Sequence, residues 1–227
     1  MPAASALDRV VDAIIAAPAG GSRTMVAVDG IGASGKTTLS QLLADRLGTS
    51  TPVVVVHGDA FFTDVSVRRA RGRYSPEGFW SDTYDLPEFE RCALVPLRSG
   101  ERRFRPASFD LDAGVARLAE PVPADADAVV IVEGAFLHRD ELAAYWDYSI
   151  FLDVPFDVAA QRMQTRAGAA EPLDEPLLSR WFGAQRLYFR AARPWTRASI
   201  ALDNRSTDGP RVIAAEDTVA CRETPLA

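Results

Sequence analysis

The sequence predicts an α/β domain built on a central parallel sheet with helices on both faces. Its apolar segments are continuous rather than alternating, which is typical of strands buried on both sides of a sheet. These segments are Met25–Val28, Pro52–Val56, Ala128–Val132, Ser149–Leu152 and Ser199–Leu202. Helical patterns alternate with them near residues 36–48, 87–98, 139–145, 156–167 and 174–192. A length of 227 residues with 48% hydrophobic content suits one such domain.

We expect the whole chain, residues 1–227, to form a single domain with residues 22–212 as its core. Residues 1–20 are predicted to form an N-terminal helix, because Asp8, Arg9 and Asp12 interrupt an apolar run at helical spacing. The same interruptions argue against a signal peptide, whose apolar core is unbroken. Residues 213–227 are weakly patterned and are interpreted as a tail.

Charge and cysteine content argue against several classes of protein. A net charge of −6 and a pI of about 5.0 disfavour a nucleic-acid-binding surface. Cys92 and Cys221 are the only cysteines and lack metal-ligand spacing, so neither a disulfide framework nor a zinc site is indicated. No segment approaches the ~20 apolar residues that a membrane-spanning helix needs. We therefore expect a soluble cytoplasmic protein that binds neither nucleic acid nor membranes.

The segment from Gly30 to Thr37 matches the pattern G-x-x-x-x-G-K-[ST] of the phosphate-binding loop, or Walker A motif. It lies between the strand-like run Thr24–Asp29 and a helical pattern that places Leu39, Leu42, Leu43 and Leu47 on one face. Backbone N–H groups of such a loop and of the following helix bind phosphates. The predicted nucleotide-binding residues are Gly30, Gly32, Ala33, Ser34, Gly35, Lys36, Thr37 and Thr38. A plain Gly-rich turn before a helix is the alternative.

Lys36 is the single lysine among the 25 basic residues, the other 24 being arginine. A chain that uses arginine everywhere else requires an ammonium at this position. The physical reason is size, since a compact charge with three donors reaches two phosphates at once, whereas a planar guanidinium crowds the loop. We predict that Lys36 contacts the transferred phosphoryl group and that Thr37 offers its hydroxyl to Mg²⁺.

Acidic residues follow three of the predicted strands: Asp59, Glu133 and Asp153. In parallel sheets ligands gather at the carboxyl ends of strands. Asp59 is expected near Lys36 if their strands are close neighbours, where it accepts the proton of an attacking hydroxyl or helps to hold Mg²⁺. Glu133 resembles a Walker B acid. At most two of the three are expected at the metal, and helix capping is the alternative role.

Two groups of arginines suit phosphate chemistry. Arg68, Arg69, Arg71 and Arg73 lie in a Gly/Pro-containing, aromatic-rich insertion at about 61–86, which we interpret as a loop that covers the substrate rather than a core element. A solvated surface loop is the alternative. Arg162 and Arg166 are four residues apart and share one helix face, as a phosphoryl-transfer lid requires. An ordinary solvated helix face fits that spacing equally well.

The order of these segments resembles the uridine kinase and phosphoribulokinase group of P-loop kinases, from about Met25 to Asn204. Four short segments carry the resemblance beyond the loop itself: Asp59-Ala60-Phe61-Phe62, Tyr84-Asp85-Leu86-Pro87, Ser108-Phe109-Asp110 and Glu133-Gly134. The resemblance implies a three-layer P-loop kinase fold, with a central parallel sheet flanked by helices and a small lid. It also implies ATP and Mg²⁺ as cofactors.

The resemblance assigns roles to individual residues. It implies that Lys36, Asp59, Arg162 and Arg166 are catalytic, with Asp59 as the base and the two arginines in the lid. It implies that Asp85 holds ribose hydroxyls, that Asp110 lies beside a nucleobase and that Phe61 belongs to the acceptor site. The expected metal ligands are Thr37, Asp59 and Glu133. Arg69 joins the substrate-binding set as a phosphate contact from the arginine-rich insertion.

Two departures leave the acceptor open. After Asp110 the chain continues Leu111-Asp112-Ala113-Gly114, without the basic or histidine residues that read a pyrimidine in uridine kinases. After Arg166 it continues through residues 167–172 without the second arginine group of the family's lid. The acceptor is therefore expected to be a nucleoside-like molecule with a free hydroxyl, and a phosphorylated acceptor such as a sugar phosphate or nucleoside monophosphate is the alternative.

Two other function classes share the phosphate-binding loop. A regulatory GTPase recognises guanine with an Asn-Lys-x-Asp element, which a chain whose single lysine is Lys36 does not contain in that form. A mechanical or assembly ATPase needs oligomerisation or effector domains, for which 227 residues leave no room. A small-molecule kinase is thus the preferred reading, with ATP and the acceptor as partners and a homodimer as the candidate assembly.

Overall fold

The computed structural model describes residues 5–168 and 174–224. Their strands are β1 (Thr24–Gly30), β2 (Val53–His57), β3 (Arg103–Phe104), β4 (Phe109–Asp110), β5 (Val115–Ala116), β6 (Val122–Pro123), β7 (Val129–Gly134), β8 (Tyr148–Asp153), β9 (Ile200–Asp203) and β10 (Arg211–Ile213). Six of them form one sheet in the order β10-β9-β8-β1-β7-β2. Neighbours in this sheet are parallel except β10, which runs antiparallel to β9. The short pairs β3–β6 and β4–β5 are antiparallel.

The helices alternate with the strands of the large sheet. They are α1 (Ala6–Ala16), α2 (Lys36–Leu47), α3 (Val65–Arg68), α4 (Pro76–Asp82), α5 (Leu86–Phe89), α6 (Val95–Ser99), α7 (Asp140–Ala143), α8 (Phe156–Ala167), α9 (Glu175–Ala192), α10 (Pro194–Arg197) and α11 (Val219–Arg222). A π-helical turn, Glu90–Leu94, joins α5 to α6. None of the helices in the described part of the chain has the length and apolarity that a membrane span needs.

The sheet is buried on both faces, as continuous apolar strands require. Met25 and Ala27 of β1 pack with Phe89 and Leu97 on one face. Their neighbours in β1, Val26 and Val28, point to the other face, where α1 and α2 cover them. A third group of apolar side chains surrounds α9 and is rich in aromatic residues. The predicted α/β architecture, with helices on both faces of a mostly parallel sheet, is therefore confirmed.

All five predicted strands are present, and the differences lie elsewhere. Of the four leucines that the sequence places on one face of α2, Leu39, Leu43 and Leu47 are buried, whereas Leu42 is 44% exposed. The edge strand β10 carried no signal because it is three residues long. The stretch beyond it is held by Asp153, whose carboxylate accepts hydrogen bonds from the first backbone N–H groups of α11, at 2.8 and 3.2 Å.

The insertion at 61–86 is partly helical and partly core. Phe79 and Trp80 of α4 pack among the aromatic side chains around α9, with the Trp80 ring 5.3 Å from that of Tyr188. The expectation that the whole insertion forms a loop over the substrate is therefore wrong for α4. Its aromatic residues bury apolar surface against α9, and its start is favoured by the Ser75 cap and by Pro76 in the first helical turn.

Candidate active site

The loop between β1 and α2 has the backbone conformation that its glycine-rich sequence allows. Gly35 precedes the first turn of α2 with φ 97°, in the left-handed region that favours glycine. A Cβ atom on Gly35 would lie 2.6 Å from Nδ2 of Asn204. That same Nδ2 donates a hydrogen bond of 2.8 Å to the carbonyl oxygen of Ser34. Asn204, which follows β9, therefore fixes the loop from a distant part of the sequence.

Lys36 begins α2, and its ammonium is enclosed by the loop. Its Nζ donates to the carbonyl oxygens of Gly30 and Ile31, both at 3.0 Å. The first backbone N–H groups of α2 have no partner within the helix. A cation and a helix N-terminus thus lie together at the carboxyl end of β1, which is the arrangement that binds phosphate groups.

Asp29, the residue before the loop, is completely buried beneath it. One oxygen accepts the backbone N–H of Gly30 at 2.7 Å, and the other accepts the hydroxyl of Tyr188 and lies 2.7 Å from Nδ1 of His138. Burial and the Asp29 charge raise the pKa of Tyr188 well above its ordinary value. Asp29 therefore anchors the start of the loop. Its signal was the same as that of the other acids, an acid ending an apolar run.

Glu133 ends β7 and lies against the start of α2. Its Oε1 accepts the Thr37 hydroxyl at 3.2 Å and lies 2.8 Å from Nδ1 of His57. Burial alone would raise the pKa of Glu133, but the hydrogen bond from His57 and the charge of Lys36 outweigh it and hold that pKa below the ordinary value. The same hydrogen bond raises the pKa of His57. Glu133 is therefore ionised at neutral pH beside the Thr37 hydroxyl.

Asp59 follows β2 on a 3₁₀ turn and faces the same end of the sheet. Strand β7 lies between β1 and β2, so the strands of Lys36 and Asp59 are not adjacent. Even so, both side chains line one cavity. Asp59 Oδ1 accepts the hydroxyl of Tyr84 at 2.8 Å, and that hydroxyl accepts the backbone N–H of Ala135 at 3.3 Å. The carboxylate is thus held in a fixed position near the loop.

Two cavities meet at the loop. The first, the α9 cavity, has a volume of about 550 Å³. Its lining includes Lys36, Asp59, Phe62, Tyr84, Arg180 and Gln185. The second, the α2 cavity, has a volume of about 410 Å³. Its lining includes Gly35, Thr38, Leu42, Asn204 and Pro210. Ala33 and Arg166 border both cavities. Two molecules bound in these cavities would therefore meet beside the loop.

Solved structures share this architecture. A candidate uridine kinase from Bacillus stearothermophilus superimposes with a TM-score of 0.69 at 21% identity, covering 86% of this chain and 96% of that one. A candidate fructose transport system kinase from Silicibacter sp. TM1040 gives 0.66 at 26% identity, covering 84% and 95%. Phosphoribulokinase from Rhodobacter sphaeroides gives 0.53 at 19% identity, covering 80% and 70%.

The chain has the fold of the uridine kinase and phosphoribulokinase group of P-loop kinases. The resemblance noted in the sequence is confirmed at this level. The sequence matches no family model, and no curated protein matches it either. The three proteins just described are kinases by their descriptions, and those descriptions name different acceptors.

In this P-loop kinase fold the two predicted lid arginines have different surroundings. Arg162 donates to the carbonyl oxygen of Asn204 at 2.7 Å and to that of Ala33 at 3.4 Å, so it braces the loop against the end of β9. Arg166 lies one turn further along α8 and borders both cavities. The continuation of the predicted lid at residues 169–173 lies outside the described residues.

Some of the residues predicted to bind the acceptor do not line the α9 cavity. The prediction that Phe61 contacts the acceptor is wrong, because its ring is fully buried and stacks on Phe89 with ring centroids 4.5 Å apart. The neighbouring Phe62 lines the α9 cavity instead. On a short 3₁₀ turn, adjacent residues point in different directions, and the sequence does not say which one faces the cavity.

Asp85, Asp110 and Arg69 are not among the residues lining the α9 cavity. Asp85 caps α5, with Oδ1 accepting the backbone N–H of Glu88 at 3.1 Å. Asp110 closes its own turn and pairs with Arg117 at 3.2 Å. Arg69 is exposed.

Sequence reasoning missed three polar residues that do line the α9 cavity: Arg68, Arg180 and Gln185. Arg68 was noted only as one of a run. Arg180 and Gln185 lie on α9, a long helix whose amphipathic pattern carries no motif. The signal that could have found them is the presence of polar residues on an otherwise apolar stretch of that helix.

Proposed function

We propose that this protein is an ATP-dependent small-molecule kinase that transfers the γ-phosphoryl group to a hydroxyl of an acceptor bound in the α9 cavity. The observation that carries the proposal is the meeting of the two cavities at the loop, with Lys36 and Asp59 both lining the α9 cavity. Nucleotide hydrolysis alone needs a water site, whereas a second preformed cavity of about 550 Å³ suits a second substrate.

The α2 cavity fits the nucleotide. Its lining joins the loop and Thr38 to Asn204 and Pro210, so a base bound there would send its phosphates along the N-terminus of α2. Leu42, whose exposure departs from the helix pattern, supplies apolar surface for a base. Lys36 would then neutralise charge on the transferred phosphoryl group, and Arg166, at the border of the two cavities, would stabilise its equatorial oxygens.

The residues around Glu133 fit a magnesium ion. Mg²⁺ prefers oxygen ligands, and it is usually held by one or two carboxylates together with substrate phosphates. Thr37 Oγ1 and Glu133 Oε1 are 3.2 Å apart, and the depressed pKa of Glu133 keeps its charge available. Asp59 is the second carboxylate at this end of the sheet. When bound, the ion would neutralise charge on the nucleotide phosphates.

Asp59 is the proposed base. Tyr84 engages one carboxylate oxygen, which leaves the other for the proton of the acceptor hydroxyl. The acceptor oxygen would thereby be aligned toward the phosphoryl group that Lys36 holds. The two residues thus divide the chemistry between acceptor activation and phosphoryl stabilisation.

The nucleoside-like acceptor implied by the resemblance depended on Asp85 and Asp110. Because neither is among the residues lining the α9 cavity, the proposal extends to hydroxylated small molecules in general. Cys92 and Cys221 are free thiols, which supports a place in the reducing cytoplasm.

A screen of ADP release tests the proposal. Purified protein is incubated with Mg²⁺-ATP and, in turn, with nucleosides, nucleoside monophosphates, sugar phosphates, sugars and hydroxy acids. We expect ADP release above background with at least one class, a phosphorylated product by mass spectrometry, and no activity in Lys36→Ala. ADP release at one constant rate whichever acceptor is added would instead indicate an ATPase.

A further inference from the structure

Besides Arg166, two arginines line the α9 cavity, and neither forms a salt bridge within the described part of the chain. Arg68, at the end of α3, donates from Nε to the carbonyl oxygen of Thr63 at 3.0 Å, and its guanidinium lies 5.0 Å from the ring centroids of Phe62 and Phe109. Arg180, on α9, lies 4.8 Å from the Phe79 ring centroid. Its Nε is buried and has no hydrogen-bond partner among the described residues.

The absence of a partner distinguishes these two arginines from many others in the protein. Among the described residues, eight other arginines pair with a carboxylate, including Arg71 with Asp82 at 2.8 Å and Arg98 with Asp147 at 3.0 Å. In the described part of the chain, no carboxylate lies within salt-bridge distance of Arg68 or Arg180. Partly buried charges without partners are costly, so they indicate a site for an external anion.

The two charges also act on each other. Burial, followed by the nearby charges of Arg68 and Arg69, lowers the pKa of Arg180. Burial and the charge of Arg69 also lower the pKa of Arg68, and the charge of Asp64 offsets part of that shift. Two like charges at one cavity repel each other, and an anion bound between them reduces that repulsion. Among the described residues that line the α9 cavity, Asp59 is the one acid, and its hydrogen bond to Tyr84 fixes it in place.

Arg68 and Arg180 lie away from the cavity proposed for the nucleotide. Arg166 borders both cavities, whereas Arg68 and Arg180 line the α9 cavity and not the α2 cavity. Arg166 therefore lies at the shared border, close to the loop that carries Lys36. Arg68 and Arg180 serve whatever molecule occupies the α9 cavity.

Gln185 supplies a second, independent observation. Its side chain is only 3% exposed and lines the same cavity, yet Oε1 has no hydrogen-bond partner among the described residues. A buried amide oxygen of this kind costs free energy unless a donor reaches it. The hydroxyl of a bound molecule is such a donor.

We infer that the acceptor is a hydroxylated small molecule carrying an anionic group, a phosphate or a carboxylate, held by Arg68 and Arg180. The inference rests on the proposed kinase function and names the substrate class of the same site. A second hydroxyl of the acceptor donates to Gln185, while the reacting hydroxyl faces Asp59. Sugar phosphates and hydroxy acids have this chemistry, and neutral nucleosides lack it.

Binding is measured first, because it needs no turnover. The nucleotide site is saturated with Mg²⁺ and a non-hydrolysable ATP analogue, and inorganic phosphate is titrated while the melting temperature is followed. Wild type is expected to gain stability at millimolar phosphate, and Arg68→Ala and Arg180→Ala are expected to lose most of that gain. Arg190→Ala is the matched control, since Arg190 is an exposed arginine near the end of the same helix. An equal response in wild type and both variants overturns the inference.

Kinetics with pairs of substrates that differ only in an anionic group test whether the acceptor is anionic. They also show whether that group is a phosphate or a carboxylate. D-Ribose 5-phosphate is compared with D-ribose, and D-glycerate with glycerol. We expect kcat/KM to favour the charged member of one pair, and Arg68→Ala and Arg180→Ala to reduce that value by about 10- to 100-fold, the range for hydrogen bonds to charged groups. Arg180→Lys, which keeps the charge, is expected to recover part of the loss.

The outcomes distinguish the inference from the proposed function. Phosphoryl transfer to a neutral acceptor with equal efficiency in wild type, Arg68→Ala and Arg180→Ala leaves the kinase standing and overturns the anionic acceptor. Loss of nucleotide-analogue affinity in both variants overturns it too, because the arginines would then serve the nucleotide. Acceptor-independent ATP hydrolysis removes the proposed function itself.

Discussion

Replacing Asp59 with asparagine removes the proposed base while keeping the shape of the side chain. The amide oxygen of asparagine can still accept the Tyr84 hydroxyl, which lies 2.8 Å from the carboxylate, so the cost to folding is small. The proton of the acceptor hydroxyl then has no acceptor of comparable basicity. We expect turnover to fall by roughly 10²- to 10⁴-fold, or about 3 to 5 kcal/mol of barrier, with nucleotide affinity within about threefold of wild type.

Tyr84→Phe is the graded comparison. It removes one hydrogen bond to the carboxylate and leaves the base itself, so we expect turnover to fall by only about tenfold, near the lower end for a bond to a charged group. Single-turnover phosphoryl transfer gives the rate of the chemical step, and calorimetric titration with a non-hydrolysable ATP analogue gives nucleotide affinity. An Asp59→Asn enzyme within a few-fold of wild type would refute the role of Asp59 as a base.

Three further changes test other parts of the site. Lys36→Arg should lower turnover by at least about 100-fold without changing the unfolding midpoint. The reason is that the loop carbonyl oxygens lie 3.0 Å from Nζ and leave no room for a guanidinium. Near-normal turnover in this variant would contradict the prediction. Gly35→Ala should cost about 1–2 kcal/mol of stability, because alanine is strained at a φ of 97°. The added Cβ atom should also displace Asn204 and weaken nucleotide binding. Gly72→Ala is the control, since Gly72 has a φ of 104° with no atom nearby, and it should leave nucleotide binding unchanged. Burial raises the pKa of Asp153 above its ordinary value of 3.8, so the charged form is disfavoured in the folded protein. Urea titrations should therefore show the stability of Asp153→Asn rising relative to wild type as the pH increases above that ordinary value. A difference in stability that does not change with pH would refute the shift.

The elements that the sequence predicted well are those set by local pattern. The strand before Gly30, the loop and α2 follow from an apolar run, glycines and a helical pattern in direct succession. Asp59 and Glu133 were recognised because each follows an apolar strand, and their proximity to Lys36 follows from the rule that carboxyl ends of parallel strands meet. The order of the strands in the sheet could not be predicted from the sequence, and in the structure β7 lies between β1 and β2.

The residues that sequence reasoning missed depend on long-range packing. Arg180 and Gln185 reach the cavity because α9 packs against α4, and nothing near them in the chain signals that contact. The sequence assigned Phe61 to the acceptor site, but Phe62 lines the cavity and Phe61 is buried. On a short turn, consecutive side chains point in different directions, so a shift of one residue decides which ring is buried. Leu42 fits the apolar face of α2 by period, but the cavity beside β9 leaves it without a covering element.

The central claim is that two substrates meet at the phosphate-binding loop and that the phosphoryl group passes between them. The most direct measurement uses ATP labelled in the γ-phosphoryl group, in a single turnover with enzyme in excess and an acceptor from the screen present. The label should appear in the acceptor and not in inorganic phosphate, and Lys36→Ala should produce neither product. Release of the label as inorganic phosphate, at a rate that the acceptor does not change, would contradict the claim.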